Sequence, residues 1–267
     1  MFQFNTIEEA LEELFRAATK AIHGGASILI LSDRGVNNEY APIPALLAVS
    51  GLHHHLIREE LRTKASIVLE SGEPREVHHF ACLIGFGASA VNPYLALESV
   101  ASMARDGYLP DCTEEEALDT YSKVSSKGII KILSKMGICT IQSYMGAQIF
   151  EAVGLSASLI NRYFTSTPSP VGGMGLAEVA KEAALRHADA FDQRGGGKEL
   201  DSGGRFQYRR GGEYHLFNPE TIHTVGQRQF GTDQAIVEAF AVKTAHARHL
   251  TTLDLCALTC AQYEHAG

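Results

Sequence analysis

The chain has 267 residues, 45% of them hydrophobic and 20% charged. That is a globular profile with enough apolar material for one large domain or two small ones. Its 23 basic residues against 31 acidic ones give a net charge of −8, which argues against nucleic acid as a partner, because such affinity is mostly cations displacing counterions.

Residues 1–5 have neither a basic nor a long apolar segment, so no export signal is expected. Residues 6–22 place Ile7, Leu11, Leu14, Phe15, Ala18 and Ile22 at helical spacing. Asn5 or Thr6 is the N-cap, Glu8 and Glu9 suit the first turn, and Gly24-Gly25 ends the helix. Residues 27–31, Ser-Ile-Leu-Ile-Leu, read as a strand buried on both faces. A polar loop over 32–41 follows, then a helix over 44–62 with Pro44 in its first turn. The longest apolar-rich stretch, 41–52, holds two prolines and is too short for a membrane span.

A second strand is expected at 65–69, closed by Ser71-Gly72, and a helix at 76–84. This alternation of strand and helix predicts βαβ units and an α/β fold with a mostly parallel sheet flanked by helices, and allows an open doubly wound sheet as well as a barrel-like one. Residues 93–136 read as largely helical, with a capping box at Thr113 and Glu116. A third strand is expected at 138–141, and one or two short helices broken at Gly154 over 150–164. A loop rich in Pro, Ser and Gly follows over 165–175, then a helix over 176–191. Residues 195–212 hold seven glycines and form a crossing segment. Two helices are expected beyond it, at 220–229 and 233–248.

Four motifs invite chemistry, and each has a plainer structural explanation. Gly85-Phe86-Gly87-Ala88-Ser89-Ala90 fits G-x-G-x-x-A, but the run before it reads as helix, so a helix-ending loop is preferred to a dinucleotide site. His53-His54-His55 with Glu59, and His78-His79, lack a third or fourth ligand at metal spacing, so packing histidines are preferred. The five cysteines, Cys82, Cys112, Cys139, Cys256 and Cys260, suit reduced thiols better than a disulfide framework. The pair Cys256 and Cys260 falls short of an iron–sulfur set. Arg205, Arg209 and Arg210 in the glycine-rich crossing suit a flexible connection better than a phosphate cradle. The best-placed polar loop is Ser32-Asp33-Arg34-Gly35 with Asn37-Asn38, directly after a strand, where parallel α/β folds gather their sites, although a structural loop held by an Asp33–Arg34 pair and asparagine turns is preferred here too.

Whole segments are more specific than these motifs. They include Ile30-Leu31-Ser32-Asp33-Arg34, Pro42-Ile43-Pro44-Ala45-Leu46-Leu47, His53-His54-His55-Leu56-Ile57-Arg58, Ser71-Gly72-Glu73-Pro74-Arg75-Glu76-Val77-His78-His79 and Asn92-Pro93-Tyr94. Lys131-Ile132-Leu133-Ser134-Lys135-Met136-Gly137, Gln142-Ser143-Tyr144 and Gly211-Gly212-Glu213-Tyr214-His215 continue the series, as does Asn218-Pro219-Glu220. Together, over about residues 28–222, they resemble the large subunit of glutamate synthase, the NADPH- or ferredoxin-dependent enzyme of ammonia assimilation.

The resemblance implies a large subunit in four parts. An amidotransferase domain with an N-terminal cysteine nucleophile comes first and a central α/β domain second. A (βα)8 barrel with FMN, 2-oxoglutarate and a 3Fe-4S cluster follows, and a β-helix comes last. Ammonia released in the first part travels inside the protein to the barrel, where it ends up in glutamate. This chain matches the central domain and the entry to the FMN-binding domain. The implied division is a central α/β domain at 1–194, the crossing at 195–217 and a helical entry to the FMN-binding domain at 218–267. Because that central domain is itself related to the barrel, its sheet is expected to be incomplete and (βα)-barrel-like. Met1 is followed by Phe2 and no cysteines cluster, so the resemblance implies no catalytic, FMN or 3Fe-4S ligand within this segment.

The implied partners are the amidotransferase and FMN domains of the same subunit, with a small subunit or ferredoxin beyond them. The implied location is the cytoplasm, or a plastid in a plant. Asp33, Arg34, Asn37, Asn38, Gly172, Gly173 and Gly175 are the candidates for tunnel wall or interface, from their placement at predicted element ends. The alternatives are a free-standing nucleotide-dependent oxidoreductase using Gly85–Ala90 and a non-catalytic scaffold or gene remnant.

Overall fold

The computed structural model describes residues 7–191, 203–204, 208–215 and 217–228. They fall into two units, one holding residues 7–191 and the other lying within Asp192–Asp254. The expected helix at 233–248, Arg205, the Gly195–Gly197 run and the Cys256/Cys260 pair lie outside the described residues.

In the first unit α1 (Ile7–His23) buries Ile7, Leu11, Phe15, Ala18 and Ile22 on one face, the face its spacing marks out. A three-stranded sheet follows from β1 (Ile28–Ser32), β2 (Ser66–Glu70) and β3 (Ala90–Asn92), in the order β1-β2-β3, with both pairings parallel. The crossovers are α2 (Ala45–Arg58), followed by a 3-10 turn at Arg62–Lys64, and α3 (Val77–Gly85). Next come α4 (Tyr94–Arg105), α5 (Glu114–Lys135) and α6 (Ile141–Tyr144). A second parallel pair, β4 (Val153–Leu155) and β5 (Val171–Met174), encloses α7 (Ala157–Tyr163), and α8 (Leu176–Phe191) closes the unit. The architecture is therefore α/β with small parallel sheets and flanking helices. Among the described residues the strands do not close a barrel.

Helix α2 is the hub. It packs on α1, α3, α7 and β2 and is buried on nearly every side, from Ala45 to His53 and at Leu56, as a helix apolar all round must be. Gly51 makes this possible: a Cβ there would meet Phe15 Cζ at 3.0 Å and Tyr163 Cδ1 at 3.2 Å. Ser50 Oγ donates to the Tyr163 carbonyl at 2.5 Å and ties α2 to α7. Pro44 occupies the N-cap, which has no side-chain hydrogen bond of its own. The Glu73 carboxylate supplies the missing acceptor, taking the Ala45 N–H at 2.7 Å. Helix α5 starts on the expected capping box, with the Thr113 hydroxyl accepting from the Glu116 N–H and the Glu116 carboxylate accepting from the Thr113 N–H. It packs on α3 where Gly128 leaves room for Val77.

Four expectations need correction. The run 27–31 is buried on one face only: Leu29 is buried, whereas Ile28 and Ile30 are 60% and 67% exposed. Residues 138–141 do not form a strand, because Thr140 caps α6 with its hydroxyl on the Ser143 N–H. Gly154 does not break a helix. It lies in β4 at φ +80°, and Ser156 then caps α7. The expected loop around Gly172 and Gly173 is strand β5, and β3 lies in the stretch between the expected helices at 76–84 and 93–136, where a helix-ending loop is expected.

In the second unit α9 (Pro219–Arg228) starts at Asn218. The buried Asn218 side chain accepts from the Glu220 and Thr221 N–H groups, each at 3.0 Å.

Candidate functional site

In parallel α/β folds the strand C-termini are where sites collect, and here β1, β2 and β3 end together. Their register pairs Ser32 with Glu70 and Glu70 with Asn92. Glu70 accepts from Ser32 Oγ at 2.7 Å, Arg34 Nε at 2.8 Å and Asn92 Nδ2 at 3.3 Å. These donors, Ser32 first and Arg34 next, hold its carboxyl below the usual range. Arg34 reaches Glu98 at 3.5 Å and lies over the Tyr94 ring at 4.0 Å. Its hydrogen bond to Glu70 raises its pKa further.

Behind this row Asp33 accepts from Ser71 Oγ at 2.6 Å and from the Gly72 N–H at 3.1 Å. It also bonds Tyr94, whose hydroxyl is pushed up to about 12, chiefly by burial and then by that bond. Burial raises the Glu73 carboxyl, against the pull of the Ala45 N–H. A cavity of about 330 Å³ opens beside this edge, lined by Leu14, Ile30, Asp33, Ile43, Ala45 and Ser71 among others.

The structure thus brings Asp33 and Arg34 into one network. Asn37 does a different job. Its Oδ1 accepts from the Glu39 and Tyr40 N–H groups at 2.9 and 3.1 Å, an Asx turn, and its carbonyl accepts from His187 Nε2 at 2.5 Å. Asn38 is exposed. Gly173 lets β5 approach β4: a Cβ there would meet the Gly154 carbonyl at 2.7 Å. The Gly175 N–H donates to Glu178 at 2.8 Å at the start of α8, and Gly172 faces open space. Helix α8 runs from Gly175 towards His187, which touches Asn37, so the two candidate groups lie at opposite ends of it. At 1.5 Å per residue they are roughly 18 Å apart and do not form one site.

Sequence reasoning missed Glu70, Ser71, Asn92, Tyr94 and Glu98 as members of this edge. The signal was there in part, since Glu70 and Asn92 each stand at a strand end and Asn92-Pro93-Tyr94 belongs to a segment that carries the family resemblance. Without β3, nothing brought them together.

The motif at Gly85–Ala90 joins a helix end to a strand, the reverse of the strand-to-helix turn that cradles a pyrophosphate. Its N–H groups at Phe86, Gly87 and Ala88 are spent on the carbonyls of Cys82, Ile84 and Leu83. His53 Nδ1 accepts from Arg62 and His55 bonds Thr19, so both serve packing. Among the described residues Cys82, Cys112 and Cys139 are free thiols, and no three His, Cys, Asp or Glu side chains gather for a metal. No described helix is long and apolar enough to cross a membrane.

A family model described as the glutamate synthase central domain matches residues 1–156. The chain is 54% identical over 219 residues to the glutamate synthase (NADPH) large chain of Bacillus subtilis, covering 82% of this chain and 14% of that protein. It is 44% identical over 229 residues to ferredoxin-dependent glutamate synthase 2 of Synechocystis, with coverages of 81% and 15%. To the NADH glutamate synthase of Schizosaccharomyces pombe it is 37% identical over 235 residues, covering 87% of this chain and 11% of that protein. The chain therefore spans about one-seventh or less of the length of these relatives.

Proposed function

The chain belongs to the glutamate synthase family, within which it matches the central domain, and from that premise we propose that it is the connecting piece between two active sites and carries no complete site of its own. The whole enzyme would make glutamate from glutamine and 2-oxoglutarate, an oxidoreductase reaction. The amidotransferase domain would release ammonia and the FMN domain would consume it. FMN and the 3Fe-4S cluster would belong to the FMN domain, and a small subunit or ferredoxin would bring electrons. The location would be the cytoplasm, or a plastid in a plant.

A connector has a physical task. Ammonia must travel unprotonated, since ammonium is not a nucleophile, and a protein-lined path keeps it from bulk water. A rigid spacer also fixes the distance between the two sites. The observation that carries this reading is the edge at β1–β3. It stands where a parallel α/β enzyme would hold its reacting groups, yet Asp33 and Glu70 are engaged by the chain's own donors. The short span of the match within much longer relatives supports it. The loop with Asp33, Arg34, Asn37 and Asn38 and the glycines Gly172, Gly173 and Gly175 are the proposed interface or tunnel walls.

The test is to assay the 267-residue chain alone. It should neither release ammonia from glutamine nor acquire flavin absorbance on mixing with FMN. Stoichiometric FMN binding or glutamine hydrolysis would overturn the proposal. Binding of NADPH near Gly85, read by nucleotide fluorescence, would favour a free-standing oxidoreductase instead.

A further inference from the structure

We infer that the cleft at the N-terminal edge of the β1–β2–β3 sheet, between the Arg62–Lys64 turn and the strand starts, is a binding site for a small dianionic oxyanion of phosphate chemistry. The site is independent of the connector function proposed above. Arg62 is a cation without a counter-charge. It is part-buried, and it donates from Nε to His53 Nδ1 at 2.9 Å, from Nη1 to the Ala65 carbonyl at 2.7 Å and from Nη2 to the Gly87 carbonyl at 2.9 Å, with the Met145 sulfur at 3.8 Å. All these partners are neutral, since a ring nitrogen that accepts from a guanidinium carries no proton. Among the described residues no carboxylate pairs with Arg62, and burial lowers its pKa with no acidic group opposing it. Carbonyls replace part of the hydration that a guanidinium loses, and an anion replaces the rest.

The cleft that Arg62 faces has a volume of about 390 Å³ and is lined by Lys64 from the same turn and by one serine from each strand start. Ser66 opens β2, and Ser27 and Ser89 immediately precede β1 and β3. The Ser66 N–H donates to the Ser27 carbonyl at 2.9 Å and the Ser89 N–H to the Ile67 carbonyl at 2.7 Å, which sets the three serines in one row. Among the described residues their hydroxyls bond no protein group, so each can donate into the cleft. No aspartate or glutamate lines it, in a chain where acidic residues outnumber basic ones by 31 to 23. Charge and geometry select the ligand. Two cations balance a dianion. Hydroxyls from three strand starts and cations from a turn approach from several directions, which suits the tetrahedral oxygens of a phosphate better than the two in-plane oxygens of a carboxylate. The lysine and the serines are exposed, so the cleft admits free phosphate or the phosphate end of a larger metabolite.

The experiment titrates the 267-residue chain with inorganic phosphate at about pH 8, where the dianion dominates, in exchange for chloride at constant ionic strength. The arginine Nε–H resonances, assigned through their side-chain neighbours, report contact, and the thermal midpoint reports linkage. The Arg62 resonance should move along a saturating curve while that of Arg34 stays in place, and the midpoint should rise with phosphate. Lys64→Gln should weaken binding by about tenfold. Ser66→Ala, which should weaken it less, is a second reporter in case the first variant folds poorly. Glycerol phosphate that binds as tightly as inorganic phosphate would make the ligand a metabolite's phosphate end, and weaker binding would make it free phosphate. An Arg62 resonance that phosphate leaves unmoved, or an affinity unchanged in both variants, would overturn the site. Succinate binding more tightly than phosphate would make the ligand a dicarboxylate and overturn the phosphate assignment.

Discussion

The two ends of the β1–β3 sheet each hold one arginine, and they hold it in opposite ways. At the C-terminal end Arg34 is half exposed and pairs with the carboxylates of Glu70 and Glu98. At the N-terminal end Arg62 is part-buried and donates to His53 Nδ1 at 2.9 Å, the Ala65 carbonyl at 2.7 Å and the Gly87 carbonyl at 2.9 Å. Burial lowers the pKa of Arg62, whereas the Glu70 hydrogen bond raises that of Arg34. The first arrangement is screened by water and adjustable. The second joins α2, the residue before β2 and the turn into β3 through three hydrogen bonds of one part-buried guanidinium. On this contrast the N-terminal end is expected to contribute more to stability than the C-terminal end.

Changes at the N-terminal end should be costly. Gly87 sits at φ +112°, and a Cβ there would lie 2.3 Å from His53 Nδ1. Gly87→Ala should cost roughly 3–5 kcal/mol, combining backbone strain with overpacking, read as a fall in the urea midpoint. Arg62→Ala should cost roughly 2–4 kcal/mol, because it strands the His53 acceptor and two carbonyls. A midpoint unchanged in either variant would remove the contrast between the two ends.

Acid should act on the same end. Burial and Arg62 hold His53 down at about 4, and burial and Arg58 hold His54 there too. Between 6.5 and 4 the unfolded chain binds these protons and the folded chain does not. Stability is therefore complete above pH 6.5 and falls as pH drops towards 4, by about 2 kcal/mol at pH 5 from His53 alone. His53→Gln should flatten the slope between pH 6.5 and 5, where few carboxylates titrate. At the other end, Arg34→Ala should leave the urea midpoint of the isolated chain where it was. A clear loss there would show that the C-terminal network also holds the fold.

How much of this was legible in the sequence depends on whether the signal was local. Helix α1, the Thr113–Glu116 capping box and the parallel β1–β2 pair follow from periodicity and capping chemistry, which act within a few residues. Strands β3, β4 and β5 have three or four residues each. They are made strands by their partners, and Gly154, Gly172 and Gly173 carry no side-chain pattern to announce it. The same limit hid half the candidate edge. Asp33 and Arg34 stood out beside a clear strand, but Glu70, Asn92 and Tyr94 join them only through pairing across the sheet. The bare face of β1 was misread for a related reason: Ile28 and Ile30 suit a strand covered on both sides, and the helices of residues 7–191 cover one side of it.

The connector account is tested most directly by the coupling ratio in the long polypeptide, the glutamine hydrolysed for each glutamate made from 2-oxoglutarate, with Gly172→Trp or Asn38→Trp introduced. A Cβ at Gly172 would meet nothing within 4 Å, and Asn38 is exposed, so both positions lie at the surface and neither change is expected to unfold the short chain. The account predicts that hydrolysis continues while glutamate formation falls several-fold and free ammonia appears. A ratio unchanged from the parent enzyme in both variants would contradict it.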